Sequence, residues 1–252
     1  MPSPIFAGAE PFSAAGGPVG VLVLHGFTGS PQSMRPLAKA FAAAGFTVEL
    51  PLLPGHGTSV QDMIPTGWAD WTAAADEAYA GLAGRCDHVF AAGLSMGGSL
   101  AIWLGERHPG IAGLVLVNPL VAPAAQSFRD MLSAMIDQGL SVTPAIASDI
   151  AMPGSPESGY GATPIAPMLS MFGGVETLAA GLAGLRCPVL LLSSRNDHVV
   201  PSESGDLLAA GAGGSVERVW LERSFHVATL DYDAAEIEAR AVEFVTKLGA
   251  LR

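Results

Sequence analysis

The run V-F-A-A-G-L-S-M-G-G, Val89 to Gly98, decides the reading of this chain. Its first half is a short buried strand and its second half opens a helix, with Ser95 at the turn between them. A serine hydroxyl stands exposed at such a turn only if the chain reverses sharply, which needs small residues on both sides. Gly93 and Gly97 supply that room, and Gly98 adds more where the helix packs back on the sheet. A helix beginning at Met96 also aims its N-terminal amides at Ser95, favouring developing negative charge there. Alone, G-x-S-x-G is also found as a packing device; between a strand and a helix it marks a nucleophile.

The flanking sequence keeps the same rhythm of strand and helix. Val19–Leu24 reads as a buried strand, and Ser30-Pro31 gives an N-cap and a first-turn proline, opening a helix to about Gly45. Phe46–Leu50, Asp87–Ala92, Ile111–Val117, Pro188–Ser193 and Ser215–Leu221 are further strands. Helices are expected near Trp71–Leu82, Met96–Arg107, Ser202–Ala210 and Tyr232–Leu248. Near-continuous apolar strands separated by helices predict an α/β fold, with a mostly parallel central sheet covered on both faces. Between Leu120 and Leu185 no strand candidate occurs, prolines recur, and five of the nine methionines collect. So long a stretch without regular structure is rare unless functional. We read 120–185 as a cap inserted over the carboxyl edge of the sheet, where open α/β folds bind ligands; 1–119 and 186–252 then form the core.

Order along the chain selects the partners of Ser95. In the α/β-hydrolase arrangement the acid follows the nucleophile and the base follows the acid. His108, His198 and His226 come after Ser95. His108 ends the helix that Ser95 begins and so faces away. His226 lies in R-S-F-H-V-A-T-L-D, just past the last strand and at the carboxyl edge. The strand P-V-L-L-L-S-S reaches that edge too and delivers R-N-D-H-V-V-P, hence Asp197. Asn196 cannot ionise, Asp130, Asp137 and Asp149 belong to the cap, and Asp206 lies within a helix. His198 adjoins the acid and points elsewhere, as packing or a minor supporting group. Ser95, His226 and Asp197 are thus expected as nucleophile, general base and orienting carboxylate. The oxyanion needs two amides: that of Met96, and that of Phe27 in the loop V-L-V-L-H-G-F-T-G, which His25 holds by hydrogen bonds.

Composition narrows the remaining choices. The chain of 252 residues is within one-domain size, and half of it is hydrophobic while 14% is charged. Its 12 basic and 23 acidic residues give a formal charge of −11, which excludes a basic nucleic-acid footprint and electrostatic docking on anionic membranes. Cys86 and Cys187 make no disulfide framework, and no Cys/His cluster suggests a metal. No Lys or Arg precedes Arg35, so the basic segment of a secretory signal is absent. The apolar stretch Ile111 to Ala125 is too short and too interrupted for a membrane span. We expect a cytoplasmic protein, monomeric or homodimeric, without stable membrane insertion, acting on a small molecule with no cofactor and no metal.

The motifs H-G-F-T-G-S-P, G-H-G-T, G-L-S-M-G-G, D-H-V-V-P and F-H-V-A-T-L-D-Y-D occur in this order. Together they resemble the bacterial monoacylglycerol lipases and their sister thermostable carboxylesterases, over nearly the whole stretch from Val19 to Phe244 except the cap. The resemblance implies an α/β-hydrolase that cleaves monoacylglycerols or short-to-medium acyl esters without a cofactor. It also implies Ser95, Asp197 and His226 as the triad, with the Phe27 and Met96 amides as oxyanion donors. At one point the chain departs from the family. Relatives carry an acidic residue after the cap's tyrosine, where it can serve the glycerol hydroxyls; here Tyr160 is followed by Gly161, and Glu157 is the nearest acid. Two further readings use the same residues: an acyltransferase or thioesterase, and a non-catalytic ligand sensor on the same fold. A binder has no need of nucleophile, base, acid and oxyanion loops together.

Overall fold

The computed structural model describes residues 3–145, 148–155 and 157–250. Its strands, in chain order, are β1 (Phe12–Ala14), β2 (Val19–Leu24), β3 (Thr47–Leu50), β4 (His88–Leu94), β5 (Gly113–Val117), β6 (Val142–Pro144), β7 (Ala162–Pro164), β8 (Val189–Ser194) and β9 (Val216–Leu221). The helices are α1 (Pro31–Ala43), α2 (Val60–Met63), α3 (Trp68–Ala83), α4 (Met96–Arg107), α5 (Gln126–Asp137), α6 (Ile165–Gly181), α7 (Glu203–Gly211) and α8 (Ala234–Gly249). The main sheet runs β1-β3-β2-β4-β5-β8-β9. Its strands are parallel except β1, which pairs antiparallel with β3 at the edge.

Side chains alternate across the buried strands, so each strand feeds two cores. From β2, Leu22 and Leu24 join Trp71 of α3 and Leu100 of α4 on one face. Val21 and Val23 join Met34 and Phe41 of α1 and Ile237 of α8 on the other. Burial on both faces explains why the strands read as apolar runs rather than alternating ones. Helix α1 starts where the cap signal predicts: the Ser30 side chain accepts the Gln32 amide at 3.3 Å, and Pro31 occupies the first turn.

All of α5, β6, β7 and α6 lie between β5 and β8. The expectation of no strands in 120–185 is corrected here, because β6 and β7 form an antiparallel ribbon with Thr143 opposite Thr163. Each is three residues long and ends in proline, too short to show any alternation. Ile146, Ala147 and Pro156 of that span lie outside the described residues. The segment Ile165–Gly184 is long and apolar enough to cross a membrane, unlike the Ile111–Ala125 run weighed from the sequence. Half of it is buried, where α6 packs on α3 and α4.

Candidate active site

Ser95 sits between β4 and α4 with φ 55° and ψ −120°, in the left-handed region that L side chains avoid. Two glycines make this turn possible. A Cβ on Gly93 would lie 2.2 Å from the Gly97 carbonyl oxygen, and one on Gly97 would lie 2.2 Å from that of Leu24. The strained serine is tied to the neighbouring strand: its amide donates to Val117 O at 3.1 Å, and its carbonyl accepts the Leu120 amide at 3.3 Å.

Asp197 and His226 come from the loops after β8 and β9. His226 Nδ1 and Asp197 Oδ2 are 2.8 Å apart, and both side chains are nearly buried. Asp197 Oδ1 accepts the amides of Val199 and Val200, each at 2.8 Å, so the carboxylate cannot rotate away. Ser95 and His226 both line one cavity of about 700 Å³. This arrangement leaves one imidazole nitrogen to exchange a proton with a hydroxyl while the other is fixed by a carboxylate, the geometry of base-assisted nucleophilic attack.

The loop after β2 brings Phe27 to the same cavity. His25 holds it: Nδ1 donates to Gly26 O at 3.0 Å, and Nε2 accepts the Leu53 amide at 3.1 Å. Burial lowers the His25 pKa to about 4 against the opposing Gly26 bond, so the ring is neutral and keeps this tautomer. His108 faces away, as read from the sequence, bonded to Asp76 at 2.6 Å and stacked on Tyr79. Asn196 is exposed, and Asp206 pairs with Arg218.

Most of the cavity wall is apolar and comes from 120–185, with Met131, Met135, Met168, Met171 and Phe172 prominent. A carboxyl group interrupts it. Glu157 turns inward to line the cavity, where burial raises its pKa while the nearby His226 and a hydrogen bond from Ser33 oppose the rise. Its segment is fastened to the core. The Ser158 amide donates to Gln32 Oε1 at 2.9 Å, and Tyr160 Oη donates to Gly55 O at 2.5 Å. Gly161, where an acid was sought, is exposed, with no atom within 4 Å of a Cβ built on it.

Two residues that the sequence did not single out also converge here. Asn118, directly after β5, has φ 44° and is buried. Its Nδ2 donates to His226 O at 2.8 Å, and its Oδ1 accepts the Ser194 amide at 2.7 Å. Asp149, set aside as belonging to the insertion, reaches the His226 amide at 3.0 Å. Asn118 could have been found, since it ends a parallel strand at the edge that also carries Ser95. For Asp149 no local signal exists.

Comparison with known proteins places the chain among ester hydrolases. The profile of the family described as serine aminopeptidase, S33, matches residues 19–233. The thermostable monoacylglycerol lipase of Bacillus sp. (strain H-257) is 44% identical over 245 residues, 97% of each chain. The carboxylesterase of Bacillus subtilis (strain 168) is 26% identical over 95% of this chain and 97% of its own. A solved structure from work on LipS and LipT, two metagenome-derived lipolytic enzymes, superposes with a TM-score of 0.92 at 41% identity, over 97% of this chain and 100% of that one. A soluble variant of the Saccharomyces cerevisiae monoglyceride lipase shares the fold at a TM-score of 0.76 and 12% identity, covering 94% of this chain and 90% of its own. A profile spanning the whole main sheet but its edge strand, and a relative matched nearly end to end, leave one assignment: the chain belongs to the serine aminopeptidase, S33, family and is an ester hydrolase of the α/β-hydrolase superfamily.

Proposed function

We propose that the protein hydrolyses esters of an apolar acyl group with a small polar alcohol, monoacylglycerols among them, through an acyl-enzyme on Ser95. The observation that carries this reading is the cavity itself, largely apolar with four methionines in its wall, and carrying Ser95, His226 and the Glu157 carboxyl together. His226 takes the proton of Ser95 as the hydroxyl attacks the ester carbonyl, and Asp197 holds the imidazole in the tautomer that can accept it. The Phe27 and Met96 amides bind the oxyanion, His226 protonates the departing alcohol, and water then releases the acid by the same steps in reverse. In this reading 120–185 is the cap, and its flexible methionines accept acyl chains of several lengths. The protein would act in the cytoplasm as a monomer or homodimer, without inserting into the bilayer.

Glu157 supplies the acceptor that Gly161 lacks. A glycerol head leaves two hydroxyls to be satisfied, and a buried unpaired hydroxyl costs about 1–3 kcal/mol. The experiment compares kcat/KM for a monoacylglycerol and the methyl ester of the same acid, in wild type and in Glu157→Gln. We expect wild type to prefer the glycerol ester, the variant to lose about tenfold of that preference, and Ser95→Ala to take up no fluorophosphonate. A preference unchanged in Glu157→Gln would place glycerol recognition elsewhere. Full labelling of Ser95→Ala would refute the nucleophile.

A further inference from the structure

His226 is held by more than its ring. Its carbonyl oxygen accepts the Asn118 side-chain amide from the core at 2.8 Å, and its own N–H donates to Asp149 Oδ2, from the cap, at 3.0 Å. The same Oδ2 accepts the His198 amide at 3.1 Å, and Oδ1 is 2.8 Å from His198 Nδ1. His198 directly follows Asp197. One cap carboxylate therefore binds the loop of the base and the loop of the acid at once. The Asp149 main chain adds a third tie, since its carbonyl oxygen accepts the Val227 amide at 3.0 Å.

This carboxylate is built into the cap's seat on the core. Beyond it, the Ala151 and Met152 amides donate to the two oxygens of Asp231 at 2.7 and 2.9 Å, and Ser155 Oγ donates to Leu230 O at 2.8 Å. Residues 149–155 thus run along the loop that follows His226. The Asp149 side chain is only 14% exposed. Burial would raise its pKa, but the bonds from His198 and the His226 amide outweigh burial and hold it below the ordinary carboxylate range. It stays an anion, acceptor-only, and matched to the donors around it.

We propose that Asp149 is a positioning residue for the hydrolysis: it fixes the His226 ring against Asp197 and Ser95, and so makes catalytic alignment depend on a seated cap. Removing it leaves a nearly buried amide without its acceptor and frees the two loops whose contact is the His226–Asp197 hydrogen bond. A misplacement of about 1 Å costs up to a hundredfold in rate. The proposal rests on the reading of Ser95, Asp197 and His226 as the triad.

The test is kcat per active site, with sites counted by fluorophosphonate titration run to completion on a small acyl ester hydrolase assay. Asp149→Ala should lower kcat per labelled serine by about tenfold to a hundredfold, with KM changed less than about threefold. Asp149→Glu keeps the charge but displaces the oxygens, and should fall in the same direction. Asp149→Asn keeps an oxygen where both amides converge, and should recover most of the rate. A purely structural role would lower the melting temperature or the fraction of labelled sites and leave kcat per site at the wild-type value. That result, in whichever of the alanine and glutamate variants folds, would overturn the proposal. So would an asparagine variant as slow as alanine, which would trace the effect to charge. A wild-type protein that takes no label at Ser95 would overturn the triad reading, and this proposal with it.

Discussion

At the level of single residues, the question is which side chain deserves the role of acid. Asp197 accepts two amides on one oxygen and His226 on the other, while its neighbour Asn196 is exposed. Asp197→Asn keeps the size but offers an amide to His226 Nδ1, which favours the wrong tautomer; we expect kcat to fall by about 10⁴. Asn196→Ala removes only an exposed side chain, so its kcat should stay within about twofold, as surface changes usually do. The reverse ranking in steady-state assays would put the acid one position away. Ser95, Asp197 and His226 could be nominated from the sequence because each follows the carboxyl end of a strand, in a fixed order. Asp149 was not, because its bonds to positions 198 and 226 span 49 and 77 residues and carry no local pattern. The inward turn of Glu157 was equally hidden, set by anchors at Gln32 and Gly55 far from it in the chain. No acid follows Tyr160, and Glu157, the nearest acid in sequence, is the one that lines the cavity.

At the level of elements, the central strands and their helices were read to within a few residues, since burial on both faces makes those strands apolar runs, whereas the short, half-exposed edge strand β1 was missed. The segment between β5 and β8 resisted, because β6 and β7 gain their identity only by pairing with each other. Its helix α6 meets the far end of α4 at an unusual contact. Glu106, in the last turn of α4, has Oε1 buried without a hydrogen-bond partner, and a Cβ on Gly181 of α6 would lie 2.9 Å from that oxygen. Burial raises the Glu106 pKa to about 7, with Arg107 opposing. A raised folded-state pKa means that the folded protein holds the proton more tightly. The stability it contributes is complete below about pH 4.5 and lost as the pH rises through 7. Glu106→Gln removes the charge that the α4–α6 contact disfavours. For a half-buried group screened by solvent the gain at pH 8 is on the order of 1 kcal/mol, or about 2–4 °C in Tm for a domain of this size. At pH 5 the variant and wild type should melt together. A difference of the same size at both pH values would mean that Glu106 is not the titrating group.

At the level of the whole molecule, the fold has two cores, one on each face of a continuous sheet, and buried basic groups lie beneath the site loops. His56, from G-H-G-T, packs edge-on against His25, Phe27 and Trp71. Burial, with the charge of His25 adding to it, lowers its pKa to about 3, and burial takes His25 to about 4. Both folded-state values lie below the unfolded value of 6.5, so the unfolded chain binds these two protons first. Their stability is complete above pH 6.5 and lost as the pH falls towards 4 and then 3. Each of these protons adds at most about 1.4 kcal/mol per pH unit of acid sensitivity below 6, and the raised pKa of Glu106 opposes them. His56→Phe isolates one of the two groups. The lost Nδ1 bond leaves Pro54 O still bonded to Trp71 Nε1 at 3.0 Å, and the substitution removes an Nε2 that is buried without a partner. We therefore expect the variant to be as stable as wild type at pH 7. Its urea midpoint should fall less steeply than that of wild type between pH 6 and 4.5. A slope unchanged from wild type would show that the acid sensitivity of this fold arises elsewhere than beneath the loop that carries Phe27.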